Sequence, residues 1–184
     1  MRVISGQARG LKLASPEGLD TRPTTDRVKE SMFNIIAPYL PAEDILDLFS
    51  GSGALGIEAL SRNSKHGVFV ESDRSALSIL KQNLERARQA QKAEVMPIDA
   101  FTYLSRANVK FDIIFLDPPY NKGLLTRAVN EVAEKGLLKD GGIIVAESEA
   151  GGEVPPSGSF HILKSAKYGK TMVFVLGNAQ TQGR

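Results

Sequence analysis

The tetrapeptide Asp117-Pro118-Pro119-Tyr120 carries the most specific chemistry in this chain. A carboxylate followed by two prolines gathers acceptors into a small volume, because each proline fixes its own φ and removes an amide donor. Such a loop suits a planar amino group that offers two N–H donors. The exocyclic nitrogen of a nucleobase is a poor nucleophile, since its lone pair is delocalised into the ring. If Asp117 accepts one N–H and the Pro118 carbonyl accepts the other, the nitrogen can pyramidalise and aim its lone pair at an electrophilic methyl group. Tyr120 can stack on the extracted base and hold its plane. An ordinary turn after a strand is the competing explanation of the tetrapeptide taken alone.

A methyl donor requires a second constellation. Gly51-Ser52-Gly53-Ala54-Leu55-Gly56 fits G-x-G-x-x-G and directly follows the apolar run Asp44-Ile45-Leu46-Asp47-Leu48-Phe49. Glycine is needed where backbone must approach a ligand closely or adopt positive φ. By itself the motif fits a nicotinamide or flavin dinucleotide as well as S-adenosylmethionine. Glu71, 20 residues beyond Gly51 at the tip of the next apolar run, can accept the ribose hydroxyls of either. Asp47 leans toward S-adenosylmethionine: a carboxylate just before the glycines attracts an amino-acid ammonium and has no diphosphate to serve. In a purely structural role it would have to cap loop amides, since an unpartnered buried acid is costly. Asp99 is placed either to accept from an adenine amino group or to cap the short helix after it.

These residues need a scaffold, and the apolar periodicity supplies one. Short apolar runs at 44–49, 67–71, 93–97, 111–116 and 142–147 alternate with segments of helical period at 54–62, 74–89 and 122–135, plus a short helix near 100–106. Alternation of this kind builds an α/β fold around a mostly parallel, Rossmann-like sheet. In the 74–89 segment, Ala76, Leu80, Leu84 and Ala87 form the inward stripe, and Lys81, Glu85, Arg86 and Arg88 face water. Runs at 159–166 and 171–176, separated by Lys167-Tyr168-Gly169-Lys170, predict a terminal antiparallel hairpin rather than the parallel last strand of a dinucleotide-binding sheet. Ahead of the core, short strands near 2–5 and 10–13 precede a helix capped by Thr24, Thr25 or Asp26. Its stripe is Val28, Met32, Ile35 and Ile36, and Pro38 and Pro41 end it.

Bulk properties narrow the classes further. With 184 residues and 42% hydrophobic content, one domain spanning 1–184 is expected, its residues 1–40 packed as an extension on a catalytic core at 41–184. No run is long and apolar enough for a membrane span, and the expected location is the cytoplasm. Cysteine is absent and only His66 and His161 offer imidazole, so no metal site is expected. The net charge of +2 conceals an asymmetry. Arg2, Arg9 and Lys12 at one end, and Lys164, Lys167, Lys170 and Arg184 at the other, stand in acid-free segments around a net-acidic middle. Should the ends meet, they would form a phosphate-attracting surface.

Taken together, Arg22-Pro23-Thr24-Thr25-Asp26-Arg27-Val28-Lys29-Glu30, the block from Leu46 to Gly56, Phe115 to Tyr120, and Tyr168-Gly169-Lys170-Thr171 resemble the RsmD family of bacterial 16S rRNA guanine-N2 methyltransferases. The resemblance spans nearly the whole chain. It implies a class I methyltransferase sheet of seven strands with an N-terminal β-hairpin and helix, S-adenosyl-L-methionine as cofactor, and 16S rRNA as substrate, within a partly assembled small subunit. It also implies that Asp47, Gly51, Ser52 and Gly53 touch the methionine part, Glu71 the ribose and Asp99 the adenine. Thr24 and Thr25 would close that pocket, and Asp117, Pro118, Pro119 and Tyr120 would hold the target base. Contacts to nucleic acid are expected of Arg2, Arg9, Lys12, Arg22, Lys167 and Lys170. Three alternatives stay open: an adenine-N6 methyltransferase on DNA or RNA, a nicotinamide-dependent oxidoreductase, and a non-catalytic RNA-binding assembly factor. A protein-glutamine methyltransferase is disfavoured by Asp117, because those enzymes carry Asn at that position.

Overall fold

The computed structural model describes residues 1–15, 26–119, 123–152 and 158–181. Seven strands, β1 (Asp44–Asp47), β2 (His66–Val70), β3 (Ala93–Met96), β4 (Phe111–Leu116), β5 (Leu138–Glu149), β6 (His161–Tyr168) and β7 (Thr171–Gly177), form one sheet in the order β3-β2-β1-β4-β5-β7-β6. The first five are parallel, β7 is antiparallel to β5, and β6 is antiparallel to β7. The hairpin is joined by Gly169-Lys170, with Gly169 at φ +62°, the positive value that a two-residue hairpin turn demands.

Both faces of the sheet are covered, and for this reason its strands read as continuous apolar runs. On one face Leu46, Val68, Ile114, Leu116, Ile144 and Ala146 pack against α4 (Ala100–Arg106) and α5 (Leu124–Lys135). The alternate residues Ile45, Ile113, Phe115, Ile143 and Val145 pack against α1 (Asp26–Ile35) and α2 (Ala54–Ser61). The inward stripe of α3 (Arg74–Arg86) is buried as expected, with Leu80 and Leu84 against Val3, Leu13, Ile57 and Phe69. β5 starts earlier than the sequence predicts, because Phe111 pairs with Leu138 before a register shift.

The N-terminal piece forms a short hairpin: Arg2 bridges Lys12, the Val3 and Leu13 amides donate to the Leu11 and Met1 carbonyls, and the Gly10 amide donates to the Val3 carbonyl. Its turn is tied to α2, where the Gln7 amide donates to the Ser61 carbonyl and the Ala8 amide to Ser61 Oγ, at 2.8 and 2.9 Å. The α1 stripe is likewise wider than the sequence predicts, for Lys29 and Phe33 are buried with Val28 and Met32. Lys29 points inward because its Nζ lies 3.1 Å from Glu58 of α2 and donates to the Arg2 carbonyl. Thr24 and Thr25, the expected caps of α1, lie outside the described residues. Among the described residues no helix is long and apolar enough to cross a membrane.

Candidate active site

The strand order reverses between β1 and β4, and ligands of open α/β sheets sit beyond the carboxyl ends of strands at such a point. The glycine loop leaves β1 there, and Asp117-Pro118-Pro119 leaves β4. Asp47 pairs in register with Phe115, so Asp117 stands two residues past that partner on the neighbouring strand. Two segments distant in sequence are therefore brought side by side.

Each glycine of the loop answers to a different constraint. Gly53 has φ +81°, and a Cβ there would collide with Leu80. Gly56 lies flat on the Phe69 ring, which a Cβ would strike, so it sets the approach of α2 to the sheet. At Gly51, φ is +52° and an added Cβ would meet nothing within 4 Å among the described residues, so its backbone borders open space there. Ser52 is fixed from below: the Asn83 amide donates to its carbonyl at 2.9 Å and to the Ala14 carbonyl at 3.0 Å. Asn83 is fully buried and ties the loop to α3 and to the N-terminal segment. Sequence reading missed it, since an amide in the middle of an exposed-looking helix carries no local signal.

The acids divide into two kinds. Glu71 Oε2 accepts from the Gly51 amide at 2.9 Å, and its Oε1 accepts from the Ser72 and Asp73 amides at 2.8 Å. Three of the roughly four acceptor sites of a carboxylate are thus occupied, leaving one free direction for a hydroxyl. Asp99 caps α4 through Oδ1, which accepts from the Phe101 and Thr102 amides, so the capping alternative is realised. Asp47 is only 2% exposed, and its one hydrogen bond among the described residues comes from the Gly56 amide to Oδ2 at 2.9 Å. Burial, with the charge of Glu71 as a minor addition, pushes its carboxyl up to about 7 despite that amide. The carboxyl of Asp117 is held well above the usual carboxylate range, chiefly by burial and further by the charges of Glu147 and Asp47.

Glu147 is a member of this cluster that the sequence did not reveal. It is 3% exposed on β5 and follows Ala146, the register partner of Leu116. Its place beside Asp117 depends on β4 and β5 being neighbours, which no local pattern states, although an acid ending an apolar strand repeats the signature of Glu71. Among the described residues no group of His, Asp or Glu is arranged to hold a metal ion.

Pro118 is buried and Pro119 exposed, so the proline pair turns the chain outward at the sheet edge. Tyr120, Arg22, Thr24 and Thr25 lie outside the described residues. Of the expected nucleic-acid contacts, Arg2, Arg9, Lys12, Lys167 and Lys170 are all exposed. Arg2 is also engaged by Asp26 at the start of α1, at 3.3 Å. The β6–β7 turn borders the same helix, so α1 stands between the two basic segments.

Known proteins share this sequence and fold over nearly the whole chain. YlbH of Bacillus subtilis is 42% identical over 95% of this chain and 97% of its own length. The Escherichia coli protein named ribosomal RNA small subunit methyltransferase D is 37% identical over 100% of this chain and 92% of its own. The solved structure of yhhF from Escherichia coli superposes with a TM-score of 0.87 at 37% identity, covering 98% of this chain and 99% of that one. The family described as conserved hypothetical protein 95 matches residues 1–177, and the chain belongs to it, the RsmD family that the sequence motifs resemble.

Proposed function

We propose that this protein is an S-adenosylmethionine-dependent methyltransferase of small-subunit rRNA that modifies the exocyclic N2 amino group of a guanine. The observation that carries the chemistry is the adjacency of Asp117 to the Asp47 and Gly51 loop across β1 and β4. The rRNA substrate rests on the relative named ribosomal RNA small subunit methyltransferase D. Guanine N2 rests on the family resemblance of the motifs. We read residues 1–184 as one catalytic unit that works in the cytoplasm.

The cofactor fits what is present. Open space above Gly51, a buried Asp47 lacking a cation among the described residues, and a Glu71 oxygen with residual acceptor capacity suit the methionine backbone, ammonium and ribose in turn. When bound, S-adenosylmethionine supplies an electrophilic methyl group. Asp117 and the Pro118 carbonyl would accept the two N–H bonds of the target amine, orienting the nitrogen lone pair. The raised proton affinity of Asp117 suits it to take the proton that the amine must lose after transfer. Tyr120 would stack on the base. Asp99 would accept from the adenine amino group through Oδ2, since Oδ1 is the oxygen that caps α4.

The test is a tritiated-methyl assay on undermethylated small subunits, naked rRNA, DNA and protein side by side. Label is expected in rRNA, most strongly in assembled particles. Label confined to DNA would instead support the adenine-N6 alternative, and S-adenosylmethionine binding without transfer to any substrate would support the assembly-factor alternative.

A further inference from the structure

A cleft of about 470 Å³ lies between α1 and the β6–β7 turn, lined by Arg27, Val28, Ser31, Lys167, Tyr168 and Gly169. That volume lies within the range of roughly 300–1,000 Å³ in which small ligands bind. Among the described residues that line it, both formally charged ones are cationic and none is a carboxylate. Arg27 and Lys167 are exposed and form no ion pair among the described residues. Tyr168 is half-buried, with one side packed on the core cluster of α1 and the sheet. A ring held in this way is a rigid stacking platform.

The cleft lies at the reactive edge of the sheet. Tyr168 pairs with Thr171, and Thr171 with Glu149, two residues beyond Glu147. From β4 to β6 there are three strand spacings, about 14 Å in all. A single strand whose target base reaches Asp117 would pass its flanking nucleotides over this distance.

We infer that the cleft between α1 and the β6–β7 turn holds a nucleotide flanking the target base, with Tyr168 stacking on the base and Arg27 and Lys167 contacting adjacent phosphates. Ser31 is placed to accept or donate a hydrogen bond at the cleft wall. This subsite rests on the proposed RNA substrate, and it assigns to α1 a role in reading RNA besides its packing. Arg27 and Tyr168 are positioning residues here, acting on KM rather than on the chemical step.

The test uses the full chain with a single-stranded RNA oligonucleotide, measuring binding as a function of salt, alongside calorimetry with S-adenosylhomocysteine. Arg27→Ala and Lys167→Ala should each reduce the magnitude of the salt slope by about 0.7, the amount expected for each phosphate that is no longer neutralised. Tyr168→Leu should weaken binding about 5- to 100-fold while Tyr168→Phe retains it, since stacking needs the ring and not the hydroxyl. S-adenosylhomocysteine affinity should stay unchanged in all four, which also reports that they fold. Lys81→Ala, on the exposed face of α3, serves as the remote control. If the unsubstituted protein binds RNA with a salt-dependent affinity but these variants keep its slope and affinity, the cleft assignment is wrong and the RNA substrate stands. If the unsubstituted protein binds neither this oligonucleotide nor the assembled small subunit, both are overturned.

Discussion

Glu58 and Asp47 are both buried carboxylates, 0% and 2% exposed, and they belong to the same βα unit. Their surroundings differ completely. Glu58 accepts from the Ile4 and Ser5 amides at 2.8 and 3.0 Å and pairs with Lys29 at 3.1 Å and Arg62 at 2.8 Å. Asp47 has one amide and no cation among the described residues. A buried charge is tolerable only when compensated, so Glu58 is a finished structural joint that clamps the N-terminal hairpin and α1 onto α2. Asp47 is left with capacity that the fold does not use. The difference is what the proposed function requires of an acid that is to meet a cationic ligand group, and it separates the two acids more sharply than burial alone can.

The largest effect should come from breaking the completed joint. Glu58→Ala strands Lys29 in the interior, and loss of one partner of a buried pair typically costs about 3–5 kcal/mol. Urea denaturation should show that loss, and a companion Lys29→Met/Glu58→Leu double variant should recover much of it. A fully stable Glu58→Ala would mean that the hairpin is held otherwise.

At the reactive edge the effect moves from stability to rate. Asp117→Ala should lower single-turnover methyl transfer by about 100-fold or more, the scale seen when one positioned acceptor or donor is removed from a catalytic site. Its affinity for S-adenosylhomocysteine should barely change. Near-normal transfer would remove Asp117 from the mechanism.

Asp47→Asn should do the reverse of Glu58→Ala. With its proton affinity raised to about 7, Asp47 in the native protein holds a proton that the unfolded chain has released once pH exceeds about 4. Its contribution to stability therefore falls as pH rises from about 4 to about 7. Removing the charge should raise Tm at pH 8 in the absence of cofactor. A cation near Asp47 favours the ionised form, so S-adenosylhomocysteine should bind more tightly as pH rises from 5.5 to 7.5, by about tenfold if Asp47 dominates. Calorimetry on Asp47→Asn should give weaker and nearly pH-independent binding over that interval. A wild-type pH dependence in the variant would assign the linkage elsewhere.

Glu147→Gln should have the smallest effect. Loss of one negative neighbour leaves the burial of Asp117 intact, so the acidic limb of the pH–rate profile should move modestly to lower pH. No movement, or movement upward, would show that Glu147 does not act on Asp117 through its charge.

The legibility of the sequence follows the same division. The Gly51 loop and Asp117-Pro118-Pro119 are contiguous segments at strand ends, and their chemistry is local, so residue order alone exposed them. Glu147 and the Lys29–Glu58 pair were hidden because their meaning depends on contacts across strands and helices far apart in the chain. Lys29 stands outside the apolar stripe that periodicity picks out in α1, and only α2 supplies the partner that draws it inward. Asp99 shows a third case: the sequence allowed a cap or an adenine acceptor, and the cap is made with one oxygen only.

The most direct measurement is nucleoside mass spectrometry of small-subunit rRNA after incubation with the protein and S-adenosylmethionine. N2-methylguanosine is the expected product, formed by the unsubstituted protein and strongly reduced with Asp117→Ala. Small-subunit rRNA that gains no methyl group on an exocyclic amine would contradict the proposed chemistry.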